Sequence, residues 1–206
     1  VKIHHIYFRP SIADLRRTKM KAVYILNDYW LYLFMAKCSL ITLRRHNPNL
    51  QVEVFYVRDG GRDNRKLGAL DARISGLPRM TERCFSSFCS SVNVDVRHVE
   101  NLDMGTEVGY TPVQRVAFKD AGRERILLMD ADTFVFGDLS SMEAVLDRCD
   151  FAADKNTYGS KATMTHRGVT ISPFNSGVAL WGPGVLPRYA KEVYRYCCEL
   201  RDRLHP

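Results

Sequence analysis

The chain has no apolar run long enough to cross a bilayer, no internal repeat and no dense tract of basic residues. Its most apolar stretch, residues 24–43, contains Asn27, Asp28 and Lys37, which favour a helix in a globular domain. Lysines and arginines are scattered among acids, so they do not form the stripe typical of nucleic-acid binders. These absences argue against a transmembrane segment and against a nucleic-acid partner.

Paired cysteine motifs and a signal-peptide pattern are also missing. None of the cysteines forms a CxxC pair or lies near a histidine at zinc-finger spacing. The six cysteines are Cys38, Cys84, Cys89, Cys149, Cys197 and Cys198. Free thiols in a reducing compartment are the simplest interpretation, although a disulfide remains open. We expect a cytoplasmic protein, or a Golgi or lumenal one if a targeting segment was removed.

The composition indicates a globular chain with an anionic partner. The chain has 206 residues, of which 46% are hydrophobic, enough for one domain with a core. The net charge of +7 favours anionic partners such as nucleotides, phosphosugars, membranes or nucleic acid, and is equally consistent with a soluble basic protein that has no such partner. No G-x-G-x-x-G motif follows the first predicted strand, which argues against a dinucleotide-binding enzyme.

Hydrophobic periodicity predicts strands alternating with helices. The predicted strands cover residues 20–28, 51–57, 92–99, 125–130, 151–154 and 174–182. The predicted helices cover residues 29–46, 64–75, 111–122, 140–150 and 185–204, and a polar loop covers 155–173. This order is typical of an α/β domain with a mainly parallel central sheet flanked by helices. Ligands of such sheets bind at the carboxyl ends of the strands.

Two aspartates one residue apart, Asp130 and Asp132, follow the apolar strand in "RILLMDADTFVFGDL". Carboxylates suit a hard divalent cation, and Mg²⁺ is commonly held by one or two carboxylates together with substrate phosphates. Such a cation would neutralise a diphosphate leaving group. The alternative is that Asp132 caps the following turn and that Asp130 is only a polar surface residue.

Three segments resemble a known enzyme family. "RILLMDADTFVFGDLSSM", "DFAAD" and "FNSGVALWGPG" are similar, in this order, to retaining glycosyltransferases of family eight, the glycogenin and galactosyltransferase type. The resemblance covers about residues 22–181. It implies a single GT-A (Rossmann-like) domain over residues 1–206. A further metal-binding histidine of the family has no match here, since His205 lies too close to Asn175, so we expect C-terminal elements of the family to be missing.

The same resemblance implies a reaction. A sugar would pass from a nucleoside diphosphate sugar, expected to be a UDP-sugar, to the hydroxyl of a glycan or other acceptor, with retention of configuration. The cofactor would be Mn²⁺ or Mg²⁺, held by Asp130 and Asp132. With Asp154, these two carboxylates are the predicted catalytic residues.

The remaining predicted site residues would bind the nucleotide sugar. Asn27 and Asp28 would face the base and ribose, and either Tyr29 or Trp30 would stack on the base. The residues that would contact phosphate or sugar are Arg115, Asp154, Asn175, Ser176 and Gly177.

Simpler interpretations exist for several of these residues. Asn27, Asp28 and Asn175 are also typical turn residues. Trp30 at a helix start is as consistent with a core position as with a base platform. Arg115 lies on a predicted amphipathic helix and would equally suit its solvated face.

Two other functions remain open at this stage. The run "ILLMDADT" also resembles haloacid-dehalogenase-like phosphatases, in which Asp130 would be the nucleophile and Asp132 a general acid. That fold normally begins with this strand and needs a later acidic pair, which is missing here. The second alternative is a non-catalytic module that binds sugar nucleotides.

Overall fold

The computed structural model describes residues 19–27, 29–58, 79–100, 124–155, 164–166, 169–171, 174–189, 191 and 195. The helices are α1 (Trp30–His46), α2 (Glu82–Ser91) and α3 (Ser140–Glu143), and α3 is followed by a 3-10 turn (Ala144–Asp147). The strands are β1 (Met20–Asn27), β2 (Gln51–Arg58), β3 (Asp95–Glu100), β4 (Arg125–Met129), β5 (Phe151–Lys155), β6 (Met164–His166), β7 (Val169–Ile171) and β8 (Phe174–Trp181).

Six of these strands form one sheet in the order β3-β2-β1-β4-β8-β5. The pairs β1–β2, β1–β4 and β2–β3 are parallel, whereas β8 is antiparallel to both β4 and β5. The predicted fold class, an α/β domain with a mainly parallel sheet, is confirmed.

The central strands form where the sequence is most continuously apolar. All five residues of β4 are buried, as are seven of the eight residues of β1. Helix α1 ends at His46 because Asn47 leaves helical geometry and Pro48 follows it. The predicted strands at 20–28, 51–57, 125–130, 151–154 and 174–182 and the helix at 29–46 are confirmed within one or two residues.

Both faces of the sheet carry apolar clusters. On one face, β1 and β2 pack with α1 and α2 through residues such as Leu33, Leu40 and Phe85. On the other face, Phe55 and Ile126 pack with Trp181 and Leu186, the latter from the helix that starts at residue 185. The sheet is therefore covered by α1 and α2 on one side and by this helix on the other.

The structure contains one helix that periodicity did not predict. Thr81 caps α2, because its hydroxyl accepts a hydrogen bond from the Cys84 amide at 3.3 Å. The helix ends at Ser91, Val92 is its C-cap, and Asn93 follows with a φ of 55°, a conformation that asparagine tolerates. Strand β3 consequently begins at Asp95 rather than at the predicted residue 92.

Two further predictions are wrong. The expected helix at 140–150, for which the sequence suggests a serine cap, is only the one-turn α3 and a 3-10 turn, and α3 begins at Ser140 itself. Asp138 supplies a carboxylate at this helix start, accepting from the Ser140 amide at 2.9 Å and from its hydroxyl at 2.6 Å. The segment expected to be a polar loop at 155–173 contains the antiparallel hairpin β6–β7.

Some predicted elements lie outside the described residues. The helices expected at 64–75 and 111–122 belong to this group. Of the helix expected at 185–204, residues 185–189, 191 and 195 are described and helical. No helix among the described residues is long and apolar enough to span a bilayer. The single-domain assignment to 1–206 remains a prediction.

Asn47, at the C-terminal end of α1, forms two hydrogen bonds with the segment that follows β4. Its amide nitrogen donates to the Gly137 carbonyl at 3.0 Å, and its Oδ1 accepts from the Leu139 amide at 2.8 Å. Asn47 is buried and both hydrogen bonds are part-buried, so loss of the Asn47 amide would leave the Gly137 carbonyl and the Leu139 amide without these partners.

Replacing Asn47 by Ala should therefore lower the free energy of unfolding by about 2 kcal/mol. Urea unfolding followed by circular dichroism measures this change. Asn49, an exposed neighbour, provides the matched control, and Asn49→Ala should change the stability by less than about 0.5 kcal/mol. Equal effects of the two substitutions would contradict the assigned role of Asn47.

Candidate functional site

The candidate site lies next to β1, at the point where the order of strands in the sheet changes direction. From β1 the chain moves to β2 and β3 on one side, and then returns to β4 on the other side of β1. Strands β1 and β4 are parallel, with Tyr24 opposite Met129, so they end at the same edge. Asn27 is the last residue of β1, and Asp130 directly follows β4. A crevice at such a switch point is the general ligand site of open α/β sheets.

The two predicted metal ligands occupy one tight turn. The Asp130 carbonyl accepts a hydrogen bond from the Thr133 amide at 3.1 Å, which closes a four-residue β-turn directly after β4. Asp130 and Asp132 are both exposed. Their carboxylates therefore project from a fixed backbone at the open edge of the sheet.

Strand β8 holds this turn through Gly177. The Gly177 carbonyl accepts from the Asp130 amide at 2.7 Å and from the Thr133 hydroxyl at 3.4 Å. This arrangement follows from the antiparallel register, in which Met129 faces Val178. The FNSG and DxD motifs, which are far apart in the sequence, are thus direct neighbours. Thr133 was not predicted as a site residue, since its partner is 44 positions away.

The other residues predicted to contact sugar reach the same edge by their backbones. Strand β8 begins at Phe174, so Asn175 and Ser176 precede Gly177 at the edge where β4 ends. Strand β5 ends at this edge too, and its pairing with β8 is irregular between Ala153 and Lys155, the position of Asp154. The side chains of Asp154, Asn175 and Ser176 lie outside the described part of the structure.

The predicted nucleotide-facing residues differ in accessibility. Asn27 is buried, and its Oδ1 accepts from the Tyr29 amide at 3.3 Å, as in the turn interpretation. Tyr29 is only 2% exposed and packs edge-on against Tyr32 with ring centroids 5.3 Å apart. Trp30 is half-buried, so it has more area than Tyr29 to offer a base. Asp28 and Arg115 lie outside the described residues.

The donor set fits a hard divalent cation that shares its coordination with phosphate. Within the described residues, no group of three or more His, Cys, Asp or Glu side chains is placed to hold a metal ion. Two exposed carboxylates on one turn match the pattern in which protein ligands supply part of the shell and substrate phosphates supply the rest. Asp130 and Asp132 would hold Mn²⁺ or Mg²⁺ in this way.

A separate cavity of about 300 Å³ lies at the amino-terminal ends of β2 and β3, between Arg44, Gln51 and Asp95. The Arg44 guanidinium donates to the carbonyls of Val92 at 2.9 Å and Asn93 at 2.5 Å, and also to that of Leu50. These hydrogen bonds connect the C-terminal ends of α1 and α2, so Arg44 has a structural role in this region.

Searches with the sequence found no matching family model and no matching curated protein. Solved structures do match the fold. The glycosyltransferase GlyE of Streptococcus pneumoniae is similar with a TM-score of 0.54 and 20% identity over 91% of this chain. An active-site variant of LgtC gives a TM-score of 0.55 and 13% identity over 89% of this chain. The galactosyltransferase LgtC in complex with donor and acceptor sugar analogues gives 0.52 and 12% over 91%.

These matches confirm that the chain has the fold of GT-A glycosyltransferases. The chain spans 40% of the length of GlyE and 64% to 66% of the length of the two LgtC chains. At identities of 12% to 20%, the likeness establishes the fold and leaves the activity to be inferred from the site.

Proposed function

We propose that the protein is a metal-dependent glycosyltransferase that moves a sugar from a nucleoside diphosphate sugar to an acceptor hydroxyl. The observation that supports this most directly is the joining of the DxD turn to the FNSG strand, through the Asp130 amide and the Gly177 carbonyl. This junction lies at the switch point of a fold shared with GlyE and LgtC. The donor is proposed to be a UDP-sugar, and the acceptor a glycan or another hydroxyl compound.

In this proposal Asp130 and Asp132 hold Mn²⁺ or Mg²⁺ together with the donor diphosphate. The bound cation would neutralise charge that develops on the departing nucleotide. The turn that carries both carboxylates is closed by its own hydrogen bond and tied to β8, so their backbone positions are set before the donor arrives.

The other predicted residues would bind and orient the donor. Trp30 is proposed to stack on the base, with Asn27 and Asp28 beside the ribose. Arg115 would contact phosphate, since a guanidinium offers paired donors to phosphate oxygens. Asp154, Asn175 and Ser176 would bind sugar hydroxyls, and Gly177 would let the sugar approach the backbone. Retention of configuration is carried over from the family resemblance alone.

The topology disfavours the phosphatase alternative. Haloacid-dehalogenase-like folds normally begin with the strand that carries DxD, whereas β4 here follows three other strands of the sheet. A non-catalytic module would keep the fold and bind nucleotide without transfer. Sugar transfer to an acceptor therefore has to be measured separately from binding.

We also propose a cytoplasmic location, where nucleotide sugars are available and thiols stay reduced. Among the described residues, Cys38, Cys84, Cys89 and Cys149 are free. Cys89 is buried, and burial raises the pKa of its thiol to about 12, which keeps it protonated and unreactive. Modification by a thiol reagent in intact cells would test whether the exposed Cys84 and Cys149 remain reduced.

A thermal-shift panel of nucleotides with and without Mn²⁺ tests the proposed class. UDP or one UDP-sugar at a hundredfold excess over its dissociation constant should stabilise the fold by about 2.7 kcal/mol, and only with the metal present. A generic phosphate ester serves as the control, and the protein should not hydrolyse it. Hydrolysis that vanadate or fluoride blocks would support the phosphatase alternative. Lack of a metal-dependent nucleotide response would contradict the proposal.

A further inference from the structure

The segment that carries the DxD carboxylates is held by two threonine hydroxyls, one in the segment itself and one in α1. The Thr133 hydroxyl donates a hydrogen bond to the Gly177 carbonyl of β8 at 3.4 Å. The Thr42 hydroxyl of α1 accepts a hydrogen bond from the Val135 amide at 3.1 Å. Both attachments follow the second carboxylate within three residues. They connect the segment to a strand on one side and to a helix on the other.

The Thr42 hydroxyl has a defined orientation of its own. It donates to the Ser39 carbonyl at 2.8 Å, which leaves its lone pairs to accept from the Val135 amide. The Ser39 hydroxyl in turn lies 2.8 Å from the hydroxyl of Tyr24 in β1, and both of these residues are buried. A chain of hydrogen bonds therefore links the segment after the DxD turn to the central strand of the sheet.

Apolar packing holds the inner side of the same segment. Ala131, which separates the two aspartates, packs against the core cluster, and Val135 is buried within it. Such packing is non-directional, so it resists removal of the segment from the core more than it resists rotation of the turn. Hydrogen bonds depend on angle as well as distance. The two threonine hydroxyls therefore restrict the directions in which the exposed carboxylates point.

We propose that Thr133 and Thr42 are positioning residues that restrict the movement of the DxD carboxylates, so that the site selects a small divalent cation over Ca²⁺. This role rests on the proposed function, since it requires that the two aspartates bind a cation together with a diphosphate. Mg²⁺ demands near-ideal octahedral geometry at about 2.0–2.1 Å, whereas Ca²⁺ accepts flexible geometry at about 2.3–2.6 Å. Loosening of the turn should therefore weaken Mg²⁺ binding more than Ca²⁺ binding.

Calorimetric titration of the full chain with UDP, in equal concentrations of Mg²⁺ or Ca²⁺, tests this inference. Thr133→Val nearly keeps the shape of the side chain and removes its hydroxyl. The affinity for UDP with Mg²⁺ should fall about fivefold, the loss expected for one hydrogen bond. With Ca²⁺ the affinity should fall less than about twofold, because Ca²⁺ tolerates displaced ligands. Thr42→Val should show the same pattern, and Thr133→Ser and Thr42→Ser should bind UDP like the wild type.

Thr81→Val is the matched control for a threonine hydroxyl with a structural role alone. It removes the hydroxyl that accepts from the Cys84 amide at the start of α2. Its thermal stability should fall, but its affinity for UDP should stay the same with either cation. Thermal unfolding of every variant shows that the protein is folded during the titrations. If Thr133→Val and Thr42→Val lose only stability, as Thr81→Val does, their hydroxyls have no positioning role.

The aspartate variants separate failure of this inference from failure of the proposed function. Retained Mg²⁺-dependent UDP binding in both Asp130→Asn and Asp132→Asn would reject the proposed function itself. If these two variants lose that binding while Thr133→Val and Thr42→Val keep it, only the positioning role is wrong. Equal losses with Mg²⁺ and Ca²⁺, an effect of one threonine alone, or losses that serine does not rescue would also overturn the positioning role.

Discussion

Replacing Asp130 or Asp132 by Asn should reduce sugar transfer by roughly a hundredfold or more, while the protein stays folded. Asparagine has nearly the same shape as aspartate but lacks its charge, so the proposed cation loses an anionic ligand. Both side chains are exposed, and the turn is held by backbone groups of Asp130, Thr133 and Gly177. The substitution therefore changes the charge of the site and keeps these backbone hydrogen bonds.

A control and a second readout make this result specific. Asp95→Asn removes an exposed carboxylate from the start of β3, at the opposite edge of the sheet, and transfer should be unaffected. Titration of Mn²⁺ in the presence of UDP should show tighter binding by the wild type than by either site variant. Unchanged turnover in both Asp130→Asn and Asp132→Asn would refute the proposed function.

Most of the fold was predictable where the sequence carries strong local signals. The buried apolar runs predicted β1 and β4, and Pro48 predicted the end of α1. Helix α2 was missed although Thr81 is a typical cap, because its serines suggest a loop more than a helix. The hairpin β6–β7 was missed because three-residue strands offer too little alternation to detect.

The location of the candidate site was predictable, but the contacts that support it were not. The carboxyl ends of parallel strands share one edge, so the meeting of Asn27 and Asp130 could be inferred. The FNSG segment begins β8 and reaches that edge because β8 is antiparallel to β4, which was not predicted. The hydrogen bonds of Asn47 with Gly137 and of Thr133 with Gly177 join positions 90 and 44 residues apart. Such pairings depend on tertiary packing, which periodicity and local propensity do not encode.

Replacing Lys21 should have a large effect on stability. It is 5% exposed in β1, and its Nζ lies 2.7 Å from Glu53 Oε2 and 2.8 Å from Glu124 Oε2. Glu53 is also buried and lies 2.9 Å from Arg97 Nε. Replacing Lys21 by Met would leave Glu53 buried with only the half-exposed Arg97, and should lower the free energy of unfolding by about 3 kcal/mol.

The double variant Lys21→Met/Glu53→Met distinguishes the cost of an unpaired charge from the loss of an attraction. It removes both buried charges and leaves Arg97, which is half-exposed, and Glu124, whose side chain is partly exposed although its Oε2 is buried. Its stability should return to within about 1 kcal/mol of the wild type, since apolar residues can replace a buried ion pair. Urea unfolding of the two variants measures this difference, and a double variant less stable than Lys21→Met would show that the pair itself stabilises the fold.

The pH dependence provides an independent check on the same ion pairs. Burial opposes the charge of Lys21, but its hydrogen bonds to Glu124 and Glu53 and their negative charges outweigh burial and raise the pKa of Lys21. A raised lysine pKa stabilises the fold below the unfolded value of about 10.4, and this contribution is lost as the pH rises through the folded value. The wild type loses this contribution at high pH, whereas Lys21→Met lacks it at every pH. The difference in free energy of unfolding between the two proteins should therefore narrow above about pH 10.5.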